Sequence, residues 1–83
     1  MPPLEVSGRA ARNLRALPPS ERARLRATFD KIRDNPNAGK HLHGELAGLR
    51  SWRVGAFRIV YQYSQGTITI VTLDRRSTVY RRP

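Results

Sequence analysis

Cysteine is absent from the 83-residue sequence, and histidine occurs only twice. Without thiols the chain forms no disulfide framework, no thiolate metal site and no cysteine nucleophile, and two histidines do not fill a zinc shell. No apolar run approaches the roughly 20 residues that span a membrane, and the N-terminus lacks the apolar stretch of a secretory signal. The composition therefore predicts a cytoplasmic protein with no metal, no small-molecule cofactor and no membrane association.

Acidic residues are also scarce. Six Asp and Glu stand against sixteen Lys and Arg, which gives a net charge of +10. Such a surplus favours a polyanionic or acidic partner, so nucleic acid and an acidic protein are the first partner classes to consider. The length suits one domain rather than two, and 39% apolar residues suffice for one core. We expect a single small basic domain over residues 1–83.

The spacing of apolar residues predicts the N-terminal half of the fold. Alternation at residues 4–6 indicates a short strand. Helical spacing then recurs in two segments separated by Pro18, the first capped by Ser7 and the second ended by Asn35-Pro36. Two helices so closely connected predict an antiparallel hairpin. Residues 35–48 are rich in glycine and asparagine and are predicted to form a loop.

Within that loop, Leu42 and Leu46 are expected to anchor the segment to the core. The sequence after Leu49 contains short runs of β-branched and aromatic residues, which predict strands joined by tight hairpins at residues 55–56 and 64–66. The predicted fold is α+β, with an N-terminal strand and a two-helix hairpin packed on one face of an antiparallel sheet of about four strands.

Two arginines, Arg53 and Arg58, flank the first tight turn on neighbouring strands, so their guanidinium groups are expected to share one patch. Arg75, Arg76 and Tyr80 follow the last long strand. Guanidinium groups grip phosphate and an aromatic ring stacks on an unpaired base, a combination that suits single-stranded RNA. The alternative is a solvated arginine face that keeps the protein soluble.

Three segments occur in order: Lys-x-Leu-x-Gly at 40–44, Trp-Arg-Val-Gly-x-Phe-Arg-Ile-Val-Tyr at 52–61 and Arg-x-x-Val-Tyr at 76–80. With the helix hairpin before them they resemble the RelE/ParE toxin superfamily of bacterial toxin–antitoxin systems. The resemblance to the RelE branch implies a ribosome-dependent endoribonuclease that cuts mRNA by metal-independent attack of the ribose 2′-hydroxyl on the adjacent phosphate. It also implies three partners, which are the ribosome, mRNA and a cognate acidic antitoxin protein.

The same resemblance assigns roles to individual residues. Arg58 is expected to hold the phosphate with Arg53 beside it, Arg76 or Arg75 to face the leaving group, and Tyr80 to stack on or orient a base. Further basic residues are predicted to bind RNA through its phosphates: Arg22, Arg26, Arg33, Lys40, Arg50 and Arg75. For the second helix a solvated face, partly balanced by acidic residues, explains the same charges equally well.

The sequence departs from the family pattern at two places. Relatives often carry a second basic residue, frequently lysine, at the position of Ser51, two residues before Arg53. Relatives also commonly show a Gly-His-Arg type sequence where residues 74–76 read Asp-Arg-Arg. Because arginine is a poor general base and only Lys31 and Lys40 are lysines, the proton acceptor is unassigned.

These departures leave other functions open. A ParE-like protein inhibits DNA gyrase by binding and cleaves nothing, and a catalytically inactive basic RNA-binding module is a third possibility. His41 and His43 form a candidate acid–base pair in the loop, although exposed loop histidines are common. Trp52 and Tyr61 are predicted to lie in the core.

Overall fold

The computed structural model describes residues 1–75 of the chain. The elements in chain order are β1 (Leu4–Val6), α1 (Gly8–Arg15), α2 (Pro19–Asp34), β2 (Lys40–His41), a 3-10 turn (Gly44–Leu46), β3 (Arg50–Val54), β4 (Phe57–Ser64) and β5 (Thr67–Arg75). No helix in this part of the chain is long and apolar enough to cross a membrane.

Both predicted helices are confirmed, with the boundaries that their capping residues indicate. Ser7 is the N-cap of α1, and its Oγ accepts a hydrogen bond of 3.1 Å from the backbone N–H of Ala10. The second helix carries Pro19 in its first turn, where proline removes no helical hydrogen bond. It ends at Asp34, just before the Asn35-Pro36 dipeptide, because the residue that precedes a proline disfavours the helical conformation.

The sheet has the strand order β1-β5-β4-β3-β2. Strand β1 is parallel to β5 and every other pairing is antiparallel. The α+β prediction is therefore confirmed, but the sheet is mixed and has five strands rather than about four. The additional strand, β2, lies in the segment predicted as loop, and two residues are too short to show a strand period.

Both predicted hairpins are present as two-residue turns. Gly55 has φ 60°, and Gln65 and Gly66 have φ 53° and 78°. Positive φ values match the right-handed twist of the paired strands, which explains the glycine in each turn.

The core lies between the helices and one face of the sheet. Its fully buried large side chains are Leu25, Ile32, Ile59, Tyr61, Ile68 and Ile70. The prediction that Tyr61 and Trp52 belong to the core is confirmed, Tyr61 fully and Trp52 as a half-buried residue packed against the cluster. Successive side chains of a strand point to opposite faces, so the alternate residues lie on the face away from the helices, here called the open face.

Residues 36–39 are anchored differently from the prediction. Leu46 is 41% exposed and Leu42 is not part of the core cluster. Instead, the Tyr61 hydroxyl accepts a 3.0 Å hydrogen bond from the Gly39 N–H and donates one of 2.8 Å to the Pro36 carbonyl. Polar contacts from the sheet, rather than two leucines, therefore hold this segment.

Candidate functional site

The strand register builds a row of charged side chains across the open face. Arg53 of β3 lies opposite Arg58 of β4, and Arg58 lies opposite Asp74 of β5. Residues paired in this way share a face, with Cβ atoms about 4.5–5.5 Å apart. The two arginines therefore lie side by side, as the tight turn between them predicts.

Within this row, Arg58 is held by an ion pair. Its Nη2 lies 3.0 Å from Oδ2 of Asp74, and the two side chains are 27% and 33% exposed. This is the only ion pair within residues 1–75, so Arg53 has no carboxylate partner in that range. A guanidinium has five N–H donors, and one contact to Asp74 leaves others for a second anion.

A second row lies beside the first. Lys40 of β2 pairs with Ser51 of β3, which in turn pairs with Val60 of β4. Lys40 is exposed, whereas Ser51 and Val60 are buried, at 9% and 2% exposure. A depression of about 350 Å³ adjoins this row at Ser51. Its lining residues are Ala38, Gly39, Ser51, Trp52 and Arg53.

Sequence reasoning named Lys40 as an RNA contact but did not place it next to Ser51. That neighbourhood depends on β2, which the pattern did not reveal. The glycine directly before Lys40 is a local signal of this close packing, because Gly39 lies against the Tyr61 ring and any Cβ at that position would overlap it.

The other predicted RNA contacts within residues 1–75 lie away from this patch. Arg50 is on the helix side of the sheet, where its Nη1 donates to the carbonyls of Asn37 (2.9 Å) and Gly39 (3.1 Å). The Arg75 guanidinium lies 4.8 Å above the Phe57 ring, also on the helix side. These two arginines therefore have structural contacts, and their binding to RNA stays a prediction.

The basic residues of α2 belong to the helical layer. Arg22 donates to the Leu17 carbonyl at 2.6 Å and Arg33 to the Pro2 carbonyl at 3.2 Å. Arg26 is exposed. The structure does not bring these residues together with Arg53 and Arg58, because the sheet separates the two sets.

Arg76 and Tyr80 lie outside the described residues. His41 pairs with Arg50, and so lies on the opposite face from Arg53, while His43 is exposed in the connection that follows. Within residues 1–75 no three His, Asp or Glu side chains cluster as a metal site would require.

Burial perturbs the hydroxyl of Tyr61. Burial raises the pKa of its hydroxyl above the ordinary value of 10.0, while the Gly39 hydrogen bond and the Arg50 charge lower it less. The hydroxyl thus stays neutral and remains available both to accept and to donate its two hydrogen bonds.

A separate apolar groove of about 530 Å³ lies on the helix side. Its lining contains four apolar residues and three arginines: Val6, Ala11, Leu14, Phe29, Arg15, Arg22 and Arg26. Val6 is 40% exposed although it is a large apolar residue. The molecule therefore presents two distinct surfaces, a cationic open face and an apolar groove with arginines in its lining.

Comparison with known proteins identifies the family. Residues 4–80 match the family described as ParE toxin of type II toxin-antitoxin system, parDE. The chain belongs to this toxin family. Among the relatives of this ParE-family toxin is Toxin RelE of Mycobacterium tuberculosis, 36% identical over 80 residues that cover 92% of the chain and 82% of the relative. Toxin RelG of the same organism is 38% identical over 77 residues, which cover 88% of the chain and 88% of the relative.

Solved structures agree with this assignment. The RelBE2 toxin–antitoxin complex of Mycobacterium tuberculosis contains a chain that is 32% identical, with a TM-score of 0.83 over 92% of this chain and 100% of that one. The isolated E. coli RelE toxin superposes with a TM-score of 0.76 at 20% identity, covering 96% of this chain and 92% of that one, and shows the fold alone. The protein is thus a toxin of a type II toxin–antitoxin system with a RelE-like fold.

Proposed function

We propose that this toxin is a ribosome-dependent mRNA endoribonuclease that inhibits translation. The observation that carries the proposal is the pairing of Arg53 with Arg58 on the open face. Like charges placed directly opposite each other on two strands destabilise the sheet, and Asp74 offsets only one of the two, so a further anion would stabilise the pair. A phosphodiester of RNA supplies that anion.

The reaction uses the hydroxyl of the substrate itself. The ribose 2′-oxygen forms a bond to phosphorus while the bond from phosphorus to the 5′-oxygen breaks, which leaves a 2′,3′-cyclic phosphate and a 5′-hydroxyl. The 2′-hydroxyl loses one proton and the 5′-oxygen gains one, so the proton balance is zero. Negative charge builds on the phosphoryl oxygens in the transition state, and cations fixed beside them lower the barrier.

The residues divide the work as follows. Arg58, held in place by Asp74, binds the phosphate, and Arg53 contributes a second guanidinium beside it. We assign the leaving-group side to Arg76 rather than Arg75, because Arg75 stacks on Phe57 on the helix side. Tyr80 stacks on or orients a base. The roles of Arg76 and Tyr80 rest on the resemblance of the Arg-x-x-Val-Tyr segment to the family pattern.

The proposed partners are the ribosome, mRNA and a cognate acidic antitoxin, and the proposed location is the cytoplasm. Two observations support the antitoxin. Similar solved structures include the RelBE2 complex and the intact E. coli RelBE toxin–antitoxin complex. The net charge of +10 also provides electrostatic complementarity to an acidic chain.

The test is primer-extension mapping of mRNA on translating ribosomes. Wild type is expected to cut within codons only when ribosomes are present, and Arg58→Ala to lower the cleavage rate by about 10²–10³-fold, as loss of one transition-state contact does. Arg9→Ala, which removes an exposed arginine of α1, is the matched control and should cleave normally. A wild type that cuts no mRNA contradicts the proposal.

A second candidate is inhibition of DNA gyrase without nuclease activity. It is favoured by the match to the ParE family and by Ser51 at the position where a second basic residue is expected. A supercoiling assay with purified gyrase separates the two. Inhibited supercoiling together with intact mRNA supports this candidate, whereas cleaved mRNA with normal supercoiling supports the nuclease.

A further inference from the structure

Lys40 stands beside the arginine row on the open face, and its position suggests a role that the sequence pattern did not assign. We propose that the Lys40 ammonium supplies the second cation expected at Ser51, contacting the scissile phosphate from the neighbouring strand. This inference rests on the proposed nuclease function and identifies an additional catalytic residue of that site.

The geometry of the β2–β3 pair supports this role. Lys40 and Ser51 are direct partners in the antiparallel pair of β2 and β3, so their side chains leave the same face from Cβ atoms about 4.5–5.5 Å apart. Arg53 is two residues further along β3, a distance of roughly 6.6 Å on the same face. The side chain of Lys40 therefore leaves the backbone one strand away from the point where a lysine at residue 51 would leave it.

The space around this pair suits such a contact. Serine is small, so the side chain at position 51 does not itself stand between Lys40 and Arg53. The depression of about 350 Å³ includes both Ser51 and Arg53 in its lining. Lysine has a flexible four-carbon stem and three donors, and Lys40 is exposed on a two-residue strand, so its ammonium can reach over the serine.

The charge balance of the site also supports a role for Lys40. Arg53, Arg58 and Asp74, the charged residues of the strand row within residues 1–75, together carry two positive charges and one negative charge, a net +1 before Arg76 is counted. Lys40 raises the total to +2. An RNA phosphodiester carries one negative charge, and attack by the 2′-oxygen builds up a second. Because cations matched to developing charge favour the transition state over the ground state, the lysine contributes mainly to the chemical step.

In this role Lys40 acts only as a cation and hydrogen-bond donor. Its ammonium donates hydrogen bonds to a non-bridging phosphate oxygen and takes no part in proton transfer. Arginine at the same position retains the charge and the donors, so Lys40→Arg is expected to preserve activity, whereas Lys40→Ala is not.

The experiment is single-turnover cleavage of mRNA on ribosomes saturated with toxin. Lys40→Ala is expected to lower the rate by about 10²–10³-fold and Lys40→Arg by less than about tenfold. Lys31→Ala is the matched control, since it removes the other lysine from an exposed site on α2 and should leave the rate unchanged. Binding of Lys40→Ala to ribosomes should weaken much less than its cleavage rate falls, because the lysine contributes mainly to the chemical step.

A positional rescue sharpens the test. In the double variant Lys40→Ala with Ser51→Lys the cation returns to the same face from the opposite strand, and we expect at least a tenth of wild-type activity. A folded double variant that is no more active than Lys40→Ala overturns the assignment, as does Lys40→Ala with the wild-type rate.

These outcomes separate the inference from the function on which it rests. If wild type cuts mRNA, Arg58→Ala does not, and Lys40→Ala cleaves normally, the nuclease stands and the role of Lys40 is refuted. If wild type cuts nothing on ribosomes, the proposed function and the role of Lys40 are refuted together.

Discussion

Replacing Tyr61 by phenylalanine removes one buried oxygen and keeps the aromatic ring. That oxygen accepts a hydrogen bond of 3.0 Å from the Gly39 N–H and donates one of 2.8 Å to the Pro36 carbonyl. Tyr61 is 0% exposed, and the contact to Gly39 is itself buried. The substitution therefore leaves one buried donor and one partly buried acceptor without their partner.

The free-energy cost follows from these two groups. A buried donor left unpaired costs about 1–3 kcal/mol, and the Pro36 carbonyl adds less because it is only partly buried. We expect Tyr61→Phe to lower the free energy of unfolding by about 2 kcal/mol. For a domain of this size each kcal/mol shifts the melting temperature by about 4–8 °C, so the expected decrease is about 8–16 °C.

The effect has a pH signature. Burial raises the pKa of Tyr61 above 10.0, so the folded protein keeps this proton at a pH where the unfolded chain releases it. The unfolded state then binds fewer protons, and stability falls as pH rises above the unfolded value. Phenylalanine does not titrate. The stability difference between wild type and Tyr61→Phe is therefore full below pH 10.0 and narrows above it, by up to about 1.4 kcal/mol per pH unit.

Urea unfolding followed by the fluorescence of the single tryptophan measures both effects. Tyr63→Phe is the matched control, because Tyr63 packs against the same core and its hydroxyl makes no hydrogen bond within residues 1–75. We expect the control to lose less than about 0.5 kcal/mol. Equal losses in the two variants would refute the reasoning, since they would show that the hydrogen bonds to the segment before β2 carry no stability.

The remaining predictions concern the same segment and the arginine row. Gly39→Ala is expected to destabilise the fold by about 1–3 kcal/mol in the same urea assay, because its Cβ would approach Cε1 and Cζ of the Tyr61 ring to 2.8 Å; an unchanged midpoint would contradict this packing. Asp74→Asn is expected to cost less than about 1 kcal/mol of stability, since its ion pair with Arg58 is partly exposed, and to strengthen binding of single-stranded RNA. Fluorescence anisotropy over a range of salt concentrations measures the affinity, and weaker binding by Asp74→Asn would show that the carboxylate positions Arg58 more than it competes with phosphate.

The helices and hairpins were predictable because their signals are local. Ser7 and the Asn35-Pro36 dipeptide mark helix ends through contacts within a few residues, and Gly55 and Gly66 mark turns through their own backbone preference. The same holds for the pairing of the two arginines, which follows from strand alternation across a two-residue turn.

Local sequence pattern did not predict the direction of β1, the existence of β2, or the contacts that hold residues 36–39 before β2. Alternation at residues 4–6 identifies a strand but not its partner, and β1 pairs with β5, more than sixty residues away in the chain. The anchor of residues 36–39 depends on Tyr61, 22 residues from Gly39. The apolar pattern of the loop indicated Leu42 and Leu46 as anchors instead. A buried hydroxyl that hydrogen-bonds to a distant backbone group leaves no periodic signal in the sequence.

The same anchor connects the stability of the core to the proposed chemistry. Tyr61 fixes the backbone of Gly39, and Arg50 fixes the carbonyls of Asn37 and Gly39 from the neighbouring strand. The next residue is Lys40, so the direction in which its side chain leaves the sheet is set by groups on the helix side. A loss of these contacts is expected to displace the lysine while Arg58 keeps its ion pair with Asp74. Tyr61→Phe should therefore lower the cleavage rate at temperatures well below its melting point, because the displaced ammonium no longer contacts the phosphate oxygens on which negative charge develops during attack. The affinity for RNA should remain nearly unchanged, because the displaced ammonium still attracts phosphate.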